Sequence, residues 1–130
     1  MTPLTVLLVA LGASIGAPVR YLVEKRLAGA YPWGTWVVNV VGSAVLGATA
    51  GYVVGPGAPG STTAVVALVG TGFCGSLTTF GGFAAQVLDL AASPSQLPLS
   101  ARSWRALGYG TISVLACVAV AALCYLATSR

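Results

Sequence analysis

Histidine is absent from this sequence, and its only carboxylates are Glu24 and Asp89. General acid–base catalysis needs a titratable side chain within reach of the reacting atoms. Proton-coupled transport needs an ionisable group at membrane depth. Both an enzyme and a proton-driven pump are therefore poorly served by this inventory. Charged residues make up only 6% of the chain, against roughly a quarter of a soluble domain. Cys74, Cys117 and Cys124 fall at no metal-binding spacing and read as small buried filler. The 6 Lys and Arg residues are spread over loop ends, so the net charge of +4 gathers into no patch for nucleic acid, and no such partner is expected.

What is present is apolar surface. Of the 130 residues, 57% are hydrophobic, and the mean hydropathy is +0.92. That composition reads as an all-α integral membrane protein. Segments Leu4–Val23, Trp33–Val54, Thr63–Leu90 and Trp104–Ala127 are each long enough to cross roughly 30 Å of hydrocarbon. Short connections make residues 1–130 a single four-helix transmembrane domain. No cation precedes the first apolar run, which is also long for a signal peptide, so a retained helix is expected. Arg20, Lys25 and Arg26 flank the first loop, Arg102 and Arg105 the third, and Arg130 alone the other side. The positive-inside rule then places loops one and three in the cytoplasm.

Polar residues inside these spans are few and informative. Gly12 and Gly16 form a small-xxx-small pair that lets another backbone approach; Ser43, Gly47 and Gly51 form a second packing stripe. Arg20 reads as an interfacial anchor or as a source of positive potential at a pore mouth. Asn39 lies about a turn and a half into the second span, with Thr35 one turn earlier on the same face. An unpaired amide there is costly, so Asn39 either bonds another helix or lines a pathway. Tyr109, Ser113 and Cys117, at spacing four, draw a polar line along the fourth span.

The third span carries its own weak point. Gly70-Thr71-Gly72-Phe73-Cys74-Gly75-Ser76-Leu77-Thr78-Thr79-Phe80-Gly81-Gly82-Phe83 is rich in glycine and hydroxyls, and a break is expected around Gly72–Thr79. Irregular backbone at membrane depth survives only where protein or a wet cavity satisfies it, and it commonly marks an ion or substrate site. Phe80 and Phe83, three apart, project from one face of the following helix, and Gln86 continues that face.

Three stretches together resemble the CrcB/Fluc fluoride channel family, in its order and spacing: Gly16-Ala17-Pro18-Val19-Arg20-Tyr21, Gly34-Thr35-Trp36-Val37-Val38-Asn39-Val40-Val41-Gly42 and Gly72-Phe73-Cys74-Gly75-Ser76-Leu77-Thr78-Thr79-Phe80. The resemblance implies an antiparallel, dual-topology dimer in the cell's inner (plasma) membrane, with two narrow fluoride pores. It also implies a structural Na+ on the dimer axis, held by the backbone carbonyls of Gly75 and Thr78. By the same resemblance Asn39 would donate its amide to fluoride, and Phe80 and Phe83 would offer their electropositive ring edges. Thr35 and Thr79 join the pathway, Tyr109 and Ser113 fall on a polar track, and Arg20 stands near a vestibule. Neutral donors suit a small, tightly hydrated anion, because conduction needs binding weak enough to release.

The chain departs from the family at Gly81 and Gly82, where Ser-Thr is usual, at Gln86, where glutamate is common, and at Cys117, where serine is. With its charge bias, these departures suggest a subunit of fixed orientation that pairs with an inverted paralogue; the alternative is an antiparallel homodimer, in which the chain inserts both ways. Two other readings remain open. A small multidrug exporter would want a glutamate in helix one, which has none before Glu24; the other reading is a non-conducting partner subunit.

Overall fold

The computed structural model describes residues 2–29, 31–56, 58, 60, 62–92 and 98–130. Gly57 and Pro59 of the second loop and Pro94 of the third lie outside the described residues. Four helices are long and apolar enough to cross a membrane, and no strand occurs among the described residues.

The first helix, Pro3–Arg26, starts where Thr2 Oγ1 accepts from Thr5 N–H at 3.3 Å and Pro3 occupies the first turn, a position that needs no amide donor. It ends on Lys25 and Arg26, cations that suit the negative end of the helix dipole. The second helix, Trp33–Val54, has the bounds expected from hydropathy. The fourth, Leu99–Thr128, begins earlier than its apolar run because Pro98 starts it and the polar turn after Pro98 stays helical. Hydropathy marks the lipid-buried length of a helix, not its full length.

Glycine faces set the pairing. A side chain on Gly12 would run into the backbone of Leu68, Gly72 and Phe73, and one on Gly72 would stand 2.6 Å from Val9 O. The first helix and the start of the third span thus meet backbone on backbone. In the same way Gly47 and Gly51 press the second helix onto Ala121, Tyr125 and Thr128 of the fourth. Gly12 with Gly16 and Gly47 with Gly51 are packing faces, while Ser43, at the head of the second stripe, lines a groove instead. Most of what the four spans bury is small, Leu77, Val38, Thr35 and Cys74 among it, with Tyr109 the one large ring in the core among the described residues. Leucines, valines and Ile112 are left exposed along the first and fourth helices; in water such a surface would aggregate, and in lipid it is solvated.

The third span is bent, and its irregularity has two parts. Val66–Cys74 is wound as a π-helix, with Gly75 N–H reaching both Gly70 O and Gly72 O. The helix continues through Leu77 and is interrupted only at Thr78 and Thr79, where Thr78 is extended (φ −79°, ψ 154°). It resumes as Phe80–Ala92. The break expected around Gly72–Thr79 is therefore confined to its last two residues. Of the glycines before it, Gly72 serves close approach to the first helix, Gly75 meets nothing within 4 Å, and both stay helical.

Candidate functional site

The interruption is held by one side chain. Asn39 Oδ1 accepts from Thr79 N–H at 2.8 Å, and Asn39 Nδ2 donates to Thr79 O at 3.2 Å. This reciprocal pair satisfies the Thr79 amide that the bend frees, which in hydrocarbon would otherwise cost several kcal/mol, and adds a second bond to the Thr79 carbonyl. A primary amide has two N–H bonds, so one remains after Thr79 is served. Thr79 Oγ1 in turn accepts from Gly82 N–H at 3.0 Å, the N-cap of the helix that follows.

Beside the break lies a groove of about 290 Å³, lined by Asn39, Ser43, Thr79, Phe80, Phe83 and Ser113 among others. It contains hydroxyls, an amide, a thiol (Cys117) and two aromatic rings, and no charged side chain. The two phenylalanine rings stand 6.1 Å apart. Phe80 is 80% exposed in the protomer, whereas Phe83 packs on Tyr109 at 5.8 Å between centroids. Arg20 approaches from the first helix, its Nη1 3.5 Å from Thr78 O. Gly42 leaves room there, since a Cβ would collide with the Thr78 side chain.

Other expected residues lie nearby in different roles. Tyr109 is 2% exposed and its hydroxyl donates to Gln86 Oε1 at 3.2 Å. Ser113 donates back to Tyr109 O at 2.6 Å, the local bond that a helical serine commonly makes. Both hydroxyl protons are engaged within the protomer. Thr35 is not a groove residue: it donates to Glu24 Oε1 at 3.0 Å and accepts from Gln86 Nε2 at 2.7 Å. It lines a separate pocket of about 340 Å³ with Gln86, Tyr31, Glu24 and Asp89. That pocket collects both carboxylates of the chain, and a negative wall repels anions.

Glu24 is the site residue that sequence reasoning missed. It reads as part of a charged loop, yet it sits in the last turns of the first helix and turns inward. The tight return of the first loop explains this, because Gly34 abuts Glu24 so closely that a Cβ would stand 2.7 Å from its Cα. The next residue after that contact is Thr35. A glycine followed by a hydroxyl just past a short loop was the available signal.

The carbonyls expected to hold sodium can be tested against this geometry. In an unbroken helix Thr79 N–H would bond Gly75 O; here it bonds Asn39, so the Gly75 carbonyl loses its helical donor. Gly75 is exposed, and nothing lies within 4 Å of where its Cβ would be. Carbonyl oxygens are the right donor type for a hard cation, and Gly75 fits; Thr78 O already accepts from the Arg20 guanidinium at 3.5 Å, so an ion there would share that carbonyl with Arg20. No cluster of His, Cys, Asp and Glu able to hold a metal occurs among the described residues.

Fold and site together define a small four-span membrane protein whose bent third span borders a neutral, hydrogen-bonding groove. The comparisons with known proteins give that class a family. A model described as CrcB-like protein, Camphor Resistance (CrcB), matches residues 7–125, and the chain belongs to this family. Among similar proteins is Fluoride-specific ion channel FluC 1 of Frankia casuarinae, 47% identical over 98 residues, covering 70% of this chain and 75% of that one. The protein of the same name from Nocardia farcinica is 45% identical, over 64% of this chain and 56% of its own length. Fluoride-specific ion channel FluC of Pseudomonas aeruginosa is 40% identical, over 66% of this chain and 68% of its own.

Proposed function

We propose that this chain is a subunit of a fluoride-selective channel that lets the ion leave the cytoplasm passively, and that it has no catalytic role. The observation that carries the reading is the groove at the break. There Asn39, with one N–H to spare, stands beside the Phe80 and Phe83 rings and no charged group lines the wall. Fluoride gives up its water only to donors that replace it, and a full positive charge would hold it too long. Amide hydrogens and ring edges are such donors. A membrane potential drives a monovalent anion outward by about 2.3 kcal/mol per 100 mV, so no coupling ion is needed. Tyr109 and Ser113 would act chiefly by shaping the track, since a passing anion must draw their protons from present acceptors.

The functional unit we propose is an antiparallel dimer in the plasma membrane. Phe80 is too open in one protomer to enclose an ion, and Gly75 and Thr78 supply only two carbonyls, which a second copy would double to four. A second, inverted copy supplies the rest of both sites. A sodium ion there would neutralise the carbonyls of the two bends and tie the subunits together. The charge bias of Arg20, Lys25, Arg26, Arg102 and Arg105 over Arg130 favours one orientation, and hence an inverted paralogue as partner. The test is fluoride efflux from liposomes, read with a fluoride electrode, for the purified chain alone and for the chain co-expressed with a paralogue. Efflux in either case, with chloride retained, is expected; none in both refutes the channel reading. Robust efflux from the lone chain removes the need for the paralogue.

A further inference from the structure

We propose that Glu24 is a positioning residue: through a one-way hydrogen-bond relay it holds the Phe83 ring at the wall of the groove. The proposal rests on the channel reading for its consequence but not for its geometry. A carboxylate oxygen can only accept, and a threonine hydroxyl has one proton. Thr35 gives that proton to Glu24 at 3.0 Å, so toward Gln86 it can only accept, and Gln86 Nε2 meets it at 2.7 Å. The amide's orientation is thereby fixed, its Oε1 turned to Tyr109, whose hydroxyl donates at 3.2 Å. Each link sets the direction of the next, and the direction originates at Glu24.

The relay ends on a ring. Tyr109 is held at its hydroxyl chiefly by Gln86 at 3.2 Å, with Pro32 O a longer second acceptor at 3.5 Å, and is flanked edge-on by Tyr31 at 5.5 Å and 89°. Phe83 packs on its other side at 5.8 Å and forms part of the groove. Without an acceptor at position 24 the Thr35 proton turns to Gln86, the amide can flip, and the Tyr109 hydroxyl loses its shorter acceptor and is left to Pro32 O at 3.5 Å, so the ring shifts toward the first loop. The support behind Phe83 then loosens, although every residue lining the groove is still present. Glu24 therefore acts through acceptor geometry more than through charge, and it touches no permeating ion.

Four variants test this: Glu24→Leu, Thr35→Val, the two combined, and Glu24→Gln, which keeps an acceptor oxygen. Fluoride efflux from liposomes is measured beside the unaltered chain. Because the two cuts interrupt one chain of bonds, their effects do not add. Each single cut is expected to slow efflux about tenfold, with the double within about twofold of the slower single. Glu24→Gln stays within about threefold of the parent. A Glu24→Leu protein that conducts like the parent, additive losses, or a Glu24→Gln protein as slow as Glu24→Leu would each overturn the assignment.

A second readout does not require conduction. The chain has only 3 phenylalanines, so ring-labelled protein in detergent gives few aromatic signals. Glu24→Leu and Thr35→Val should shift the Phe83 ring signal alike and leave that of Phe73 in place. An unmoved Phe83 signal overturns the relay whether or not the parent conducts. A parent that is silent in liposomes while Phe83 responds sinks the channel reading alone. Should Glu24→Leu fail to fold, Thr35→Val against Thr35→Ser carries the same comparison, since serine restores the hydroxyl.

Discussion

Replacing Asn39 with leucine removes an amide of similar size and leaves Thr79 N–H and Thr79 O without the partners they have at 2.8 and 3.2 Å. The Thr79 N–H cannot turn to a helical neighbour while Thr78 is extended, whereas Thr79 O, at the N-cap of the next helix, keeps that helix's first bond and loses only its second donor. A buried, unsatisfied polar group costs about 1–3 kcal/mol, and single interhelical bonds measured in membranes are worth about 0.6–2 kcal/mol. The two losses together should come to about 2–4 kcal/mol. At 1.4 kcal/mol per factor of ten, the folded population falls about 30- to 1,000-fold relative to the unfolded. The assay is reversible unfolding in mixed dodecyl maltoside and SDS micelles, followed by fluorescence of the 3 tryptophans. A purely ion-facing Asn39 predicts lost efflux at unchanged stability. If Asn39→Leu unfolds within about 0.5 kcal/mol of the parent, below the smallest interhelical bond expected, the argument that this amide holds the bend is wrong.

Thr79→Val removes the acceptor of Gly82 N–H and should cost about 0.5–2 kcal/mol in the same titration, as helix caps do. Gly72→Ala drives a methyl toward Val9 O at 2.6 Å; with backbone on the other side it cannot be relieved by a rotamer change, so a loss of about 1–3 kcal/mol is expected. Gly75→Ala meets nothing in the protomer and should leave monomer stability alone while weakening association in sodium, seen by light scattering; unchanged association would mean that a second copy does not cover that face. Phe80→Leu, at an exposed position, should keep stability within about 0.5 kcal/mol and abolish efflux, and retained efflux would remove the ring from the pathway.

Much of the fold is legible in hydropathy, because a lipid-facing helix must be apolar along its length and few alternatives exist in a bilayer. The second helix runs Trp33–Val54 as its pattern requires. Packing faces are legible too, since Gly12, Gly47 and Gly51 have no other use at those places. The exact seat of the bend is not. Glycines at 72 and 75 permit a break, but where the chain leaves the helix depends on which residue offers a replacement partner, and Asn39 is 40 positions from Thr79. Thr35 shows the same limit: its depth and face put it with Asn39, yet its hydroxyl turns toward Glu24 across the first loop. Side-chain bonds between spans follow rotation about each helix axis, which no periodicity fixes to better than a residue.

The repair of the third span by the second also constrains how the protein is made. A segment that carries an unmet amide at Thr79 is a poor solute for hydrocarbon until Asn39 reaches it. Docking this stretch on the preceding hairpin as it enters the membrane therefore eases its insertion by about the 1–3 kcal/mol that one unsatisfied amide costs. Until then the Thr79 amide is best served by staying helical on the Gly75 carbonyl.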